Sequence, residues 1–155
     1  MKRTRFWKTA ILSLLMGLVL LFCVGCAAKE AGGFTYENEE LGFSLTVPVL
    51  PEDKMTISQE DRENGVHAVY MLYQGETGQA NIVVLEEMSA ETWKAYQEEG
   101  GPLPQELAAS DQGRVLVWYP LQSNPFEMGT ADAELIDQFV SQVNTMVESV
   151  SFTGK

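Results

Sequence analysis

The chain has 155 residues, room for one compact domain, and sets 22 acidic side chains against 10 basic ones for a net charge of −12. Four of the ten cations, Lys2, Arg3, Arg5 and Lys8, precede residue 29, so the rest of the chain has six against 22, a formal charge of about −16. That balance speaks against nucleic-acid binding, which depends on Lys and Arg neutralising phosphates, and against electrostatic adhesion to anionic lipid, which needs basic clusters.

The four cations lead into an apolar run, Ala10 to Val24, whose only polar side chain is Ser13. This is the order of an export signal, and the positive-inside rule places everything after residue 28 outside the cytoplasm. Thr9 to Ala28 is also long enough to cross a bilayer as a helix, so length leaves a cleaved signal and a retained span both open. The run ends in Leu21-Phe22-Cys23-Val24-Gly25-Cys26, which resembles the lipobox of bacterial lipoproteins. The resemblance implies a cut between Gly25 and Cys26. Residues 1–25 are then a lipoprotein signal peptide, and Cys26 carries the lipid that holds residues 26–33, a short tether, at the outer face of the cell membrane. Cys23 stands where that family has an aliphatic residue, and Val24 where it has a small one. A cut after Ala28 by ordinary signal peptidase is the rival reading. A two-chain lipid anchor holds stably, since each buried methylene contributes about 0.8 kcal/mol. With Cys23 lost and Cys26 lipidated, no thiol is left for a disulfide, for catalysis or for zinc.

Beyond the tether, Phe34 to Glu37 alternates. Leu41 to Val47 sets Phe43, Leu45 and Val47 on one face and ends at Pro48 and Pro51. A weaker strand is expected near Met55–Ser58, then a polar turn from Glu60 to Gly65. Val66–Tyr73 and Asn81–Leu85, joined by Gly75–Gly78, read as an antiparallel hairpin. Ser89 caps a helix that has Glu91 in its first turn and Trp93 and Tyr96 on one face. Glu98 to Gly113, with Gly100, Gly101, Pro102 and Pro104, reads as a long irregular stretch holding at most a short helix at Gln105–Ala109. Arg114–Tyr119 is a further strand. The chain closes on an amphipathic helix in which Leu135, Ile136, Phe139, Val140, Val143, Met146, Val147 and Val150 recur at spacings of three and four. The expected domain, residues 34–155, is α+β: an antiparallel sheet of about six strands flanked by helices, with one long C-terminal helix.

Tyr36-Glu37-Asn38-Glu39-Glu40-Leu41-Gly42-Phe43-Ser44-Leu45-Thr46-Val47-Pro48, together with Glu148-Ser149-Val150-Ser151-Phe152 near the end, resembles the two ends of small bacterial lipoproteins with a PsbP-like domain. The resemblance implies an α/β/α sandwich and an accessory role beside larger complexes, and it transfers no functional residue. Here Pro48-Val49-Leu50-Pro51 lacks the Trp that such sequences often carry after the proline.

Site chemistry is sparse. His67 is the only histidine and is expected on a strand, facing solvent or packed at an edge. The Gly-x-Ser-x-Gly, glycine-rich phosphate-loop and His-Glu-x-x-His patterns are absent. Acidic clusters at Glu37-Glu39-Glu40, Glu60-Asp61-Glu63 and Glu86-Glu87 are expected as plain surface. Asp61–Gly65 misses the EF-hand spacing, and strand neighbours Glu86 and Glu87 point to opposite faces. Trp93, Trp118, Tyr70, Tyr73, Tyr119 and Phe126 are expected in the core or at an interface rather than lining one ligand groove. The expected function is a membrane-tethered, non-enzymatic accessory domain with an envelope protein partner and no cofactor. A cation- or small-ligand-binding lipoprotein is the alternative, and a carboxylate-only hydrolase the third reading.

Overall fold

The computed structural model describes residues 32–153. The signal segment, Gly25, Cys26 and the tether up to residue 31 lie outside the described residues. Strand β1 (Gly33–Asn38) pairs antiparallel with β2 (Phe43–Pro48). Asn38 closes their turn: its side-chain oxygen accepts the Leu41 N–H at 2.9 Å, while its amide donates to Tyr36 Oη and Gln59 Oε1. That full set of partners explains how Asn38 can be buried.

A second, five-stranded antiparallel sheet follows. Strand β3 (Met55–Asp61) outruns the weak strand the sequence suggests, and β4 (His67–Gln74) and β5 (Gln79–Ser89) form the expected hairpin. Gly75 N–H donates to Gly78 O at 2.8 Å across its turn. Ser89 caps α1 (Ala90–Glu99), its hydroxyl accepting the Thr92 N–H at 3.0 Å. The stretch Glu98–Gly113 departs from expectation. In place of an irregular loop with a short helix it contains strand β6 (Gln105–Ala109), paired with β7 (Arg114–Trp118). Gln-Glu-Leu-Ala-Ala has helix-favouring residues, and pairing with Val115–Trp118 overrides that preference. The strand order is β3-β4-β5-β7-β6, which leaves β3 and β6 as the two edges.

The C-terminal amphipathic run is divided. Helix α2 (Ala131–Ser141) is capped by Thr130, and α3 (Val143–Ser149) follows a break at Gln142. There φ −109° and ψ 9° leave the helical region. The last strand, β8 (Ser151–Phe152), pairs with β2 through Phe43 and Ser44 and makes the first sheet three-stranded, β1-β2-β8. Eight strands therefore stand where about six are expected. Phe43, Leu45 and Val47 from the small sheet meet Val69, Met71, Leu85 and Leu116 from the large one, with Ile136, Phe139 and Met146 from the helices in the same core. On the opposite face of the large sheet, Trp93 of α1 packs with Val66, Met88, Val115 and Val117. Among the described residues no helix is long and apolar enough to cross a membrane.

Candidate functional site

Alternation along β5 sends Leu85 and Glu87 to the main core face and Glu86 and Met88 to the α1 face. The opposite-face expectation for Glu86 and Glu87 holds, but the expectation of exposure does not: Glu86 is only 1% exposed and Glu87 is buried too. Each has its own arginine. On the α1 face the Arg62 guanidinium donates to Glu86 Oε1 and to Tyr70 Oη, Tyr70 Oη donates to Glu60 Oε2 at 3.0 Å, and Tyr119 Oη donates to Glu86 Oε2 at 2.8 Å. Burial, and then the bond to Glu86, push the Tyr119 phenol well above its ordinary range. Burial pulls on the Arg62 charge, but Tyr70 and Glu86 outweigh it and raise its pKa. Two acids, one guanidinium and two phenols thus form a closed donor–acceptor chain.

On the main core face, Arg114 Nε donates to Glu87 Oε1 at 2.5 Å and another guanidinium nitrogen donates to the Leu41 carbonyl. The same guanidinium stacks 5.1 Å from the Phe152 ring centroid. It therefore joins β7 to the β1–β2 turn and to β8. His67, on β4, lies directly across from Glu87 on β5 and Asp61 on β3, and its Nδ1 is 2.6 Å from Asp61 Oδ1. Half-exposed at the first residue of an interior strand, it faces solvent, one of the two placements the sequence offers. A histidine oriented by a carboxylate is one part of a proton-transfer site. The hollow beside it, about 130 Å³, is lined by Glu40, Gln59, Glu60 and Ala68 with no Ser, Thr or Cys, so an attacking hydroxyl or thiol is missing from its lining. Among the described residues, no three His, Cys, Asp or Glu side chains converge to hold a metal ion.

A buried polar lock lies at the other end of the core face. Asp132, in the first turn of α2, accepts Tyr73 Oη at 3.0 Å and the Glu76 N–H at 2.7 Å. Burial opposes its charge, but the Glu76 N–H, the Tyr73 hydroxyl and the Thr77 N–H overcome it and lower its pKa. Burial, and then Asp132, push Tyr73 up to about 12. The β4–β5 turn can reach the carboxylate only because Gly75 has no side chain: a Cβ there would lie 2.6 Å from Asp132 Oδ2. This group ties the hairpin turn to α2 and leaves the carboxylate no free oxygen.

A hollow of about 440 Å³ lies between Asn64 and the Glu91, Thr92, Ala95, Tyr96 and Glu99 side of α1, and two more flank β6. At its start, an apolar notch of about 250 Å³ lies between Gln105 and Trp118 on the sheet and Phe139, Val140 and Val143 on the helices. Val140 is 49% exposed, although its spacing marks it as core-facing. Trp118 is 5% exposed, and its Nε1–H is the one buried side-chain polar atom without a partner among the described residues. At the far end of β6, a hollow of about 380 Å³ opens between Ala108–Arg114 and Val150–Thr153 of the β8 segment.

The six aromatics singled out from the sequence do not line one groove. Tyr70, Trp93 and Tyr119 lie on the α1 side of the large sheet, whereas Tyr73, Trp118 and Phe126 belong to the main core. Sequence reasoning missed Arg62 and Arg114, the two residues that make the buried acids tolerable. A signal existed in their scarcity: residues 32–153 have only Lys54, Arg62, Lys94 and Arg114 as cations. No protein-family model matches the chain, and neither a curated protein nor a solved structure does.

Proposed function

We propose that this chain is a lipoprotein, held at the outer face of the cell membrane by lipid on Cys26, and that its α+β domain is a non-enzymatic, protein-binding accessory of the envelope. A PsbP-like architecture belongs to the same proposal. Its support is that the two resembling segments pair with each other, through Phe43 with Phe152 and Ser44 with Ser151. The observation that carries the binding reading is a division of labour. The buried carboxylates Glu86, Glu87 and Asp132 are engaged inside the molecule, while an apolar notch lies open between Trp118 and Val140, at the start of β6. Committed carboxylates hold a fold, and an open apolar surface beside a strand edge offers area to a partner. The cation-binding alternative draws only on the acidic excess, which also serves solubility.

The test is in living cells. Labelled fatty acid is expected on the wild type and not on Cys26→Ala, which should leave the membrane fraction. Surface crosslinking followed by mass spectrometry is expected to yield one dominant protein with the wild type and to lose it with Cys26→Ala. Full membrane retention of Cys26→Ala without label on the wild type refutes the anchor. A crosslinking profile at background refutes the partner, and calcium-dependent stability of the chain would then favour the alternative.

A further inference from the structure

We propose that Asn64 is a site of chemical modification: the Gly65 backbone nitrogen displaces its carboxamide, with help from the Thr92 hydroxyl. The product is an aspartyl or isoaspartyl group at position 64, which adds a carboxylate to the hollow beside α1.

Asn64-Gly65 is the one Asn-Gly pair in the chain, and glycine leaves the attacking nitrogen least hindered. The other asparagines are placed differently. Asn38 is buried, with its carboxamide bonded at both ends. Asn81 and Asn144 lie inside a strand and a helix, before the β-branched Ile82 and Thr145. Asn124 precedes Pro125, which has no N–H to lose.

Asn64 is also held where it can move. The Arg62 N–H donates to the Val66 carbonyl at 2.8 Å and closes the connection from β3 to β4. Glu63–Gly65 is left outside as a single 3₁₀ turn with no buried residue, and a Cβ built on Gly65 would meet nothing within 4 Å. At φ 62° and ψ 23° Asn64 is left-handed, a conformation asparagine tolerates. That ψ turns the Gly65 nitrogen away from the carboxamide carbon, so the reaction waits for the turn to open. One exposed 3₁₀ turn opens at little cost.

Thr92, in the first turn of α1, supplies the assistance. Its Oγ1 donates to the Asn64 carbonyl at 3.3 Å, and that carbonyl belongs to the peptide group whose nitrogen attacks. The bond draws charge from the amide and makes the Gly65 N–H easier to remove. Rotation about the Asn64 Cα–C bond can leave this peptide plane on Thr92 and swing the side chain toward the nitrogen.

The step balances with water alone. A base in solvent takes the Gly65 amide proton, and the nitrogen attacks Asn64 Cγ, a favoured intramolecular approach. The N–Cγ bond forms, the Cγ–Nδ2 bond breaks, and the leaving amide group takes up that proton as ammonia. Water then opens the five-membered imide, at Cγ to give aspartyl or at the main-chain carbonyl to give isoaspartyl. The new charge falls beside Glu63 and in a hollow already lined by Glu91 and Glu99, where like charges repel.

The test ages the full chain, purified in detergent, at neutral and mildly alkaline pH and follows the peptide containing position 64 by mass spectrometry. A gain of one mass unit is expected there, faster at the higher pH, while Asn38 stays unchanged. Thr92→Val keeps the Thr92 N–H that Ser89 caps and removes only the hydroxyl. It should slow the conversion by about five-fold, equivalent to about 1 kcal/mol of barrier, while Thr92→Ser keeps the rate. Equal melting of the variants shows that the fold is unchanged. An intact Asn64 in the folded chain, when the same chain converts in urea, overturns the site. Conversion of Thr92→Val at the wild-type rate overturns the part given to Thr92.

Discussion

Replacing Arg62 by methionine isolates what one cation does for a buried acid. Glu86 is 1% exposed, and its two oxygens are held by Arg62 and by Tyr119 at 2.8 Å. Arg62→Met keeps the aliphatic stem over Tyr70 and leaves a carboxylate with one neutral donor. Breaking a fully buried pair from one side costs about 3–5 kcal/mol. The Arg62 side chain is 40% exposed, so water reaches the gap and the expected loss falls to about 2–3 kcal/mol. For a domain of this size that lowers Tm by roughly 10 °C. Urea unfolding should show the loss as a lower midpoint at unchanged m-value. Arg62→Met with Glu86→Leu should recover most of it, because both charges then leave together. A single variant within about 0.5 kcal/mol of wild type, or a double variant as unstable as the single, refutes the claim that Arg62 is present to neutralise Glu86.

Three further outcomes follow from the geometry. Tyr73 is driven up to about 12 by burial and then by Asp132, against 10.0 for the free phenol. The unfolded chain releases this proton first, so stability holds below pH 10 and falls from there to about pH 12, by about 3 kcal/mol for this residue; Tyr73→Phe should flatten that limb in urea titrations. Asp132 has the opposite sign: its folded pKa is lowered, so its contribution is present above the unfolded carboxylate value and lost as pH falls through the folded one, and Asp132→Asn should flatten acid unfolding. Gly75→Ala puts a Cβ 2.6 Å from Asp132 Oδ2 and 2.8 Å from Phe126, and calorimetry should register a loss of about 1–3 kcal/mol.

What could be read from the sequence was whatever depended on near neighbours. The β4–β5 hairpin followed from an apolar run and two glycines three apart, and the α1 start from Ser89, whose cap is completed within three residues. β6 was hidden because Gln105–Ala109 has no strand preference of its own and becomes a strand only against β7, beyond the Ser110–Gly113 turn. The break at Gln142 was hidden too, since the apolar spacing runs through it while the backbone leaves the helix. Glu86 and Glu87 looked like surface because their partners lie 24 and 27 residues away, and no local pattern joins them to Arg62 and Arg114. The notch likewise assembles from three distant segments, so its residues could be named one by one as apolar but not as neighbours.

The pairing of β8 with β2 has a consequence for the order in which the chain becomes structured. Ser44 and Ser151 are 107 residues apart, and their hydroxyls meet at 3.0 Å. The Thr153 N–H donates to the Gly42 carbonyl, and the Ser149 hydroxyl accepts the Thr46 N–H. The β1–β2 hairpin therefore waits for residues made more than a hundred positions later, and closing so long a loop precedes any gain from the contacts it brings, which slows folding. A nascent chain stopped short of residue 149 has Phe43 and Leu45 in place but lacks the β8 segment that pairs with β2. The small sheet is thus a clasp, and it closes only when the chain has been delivered through β8.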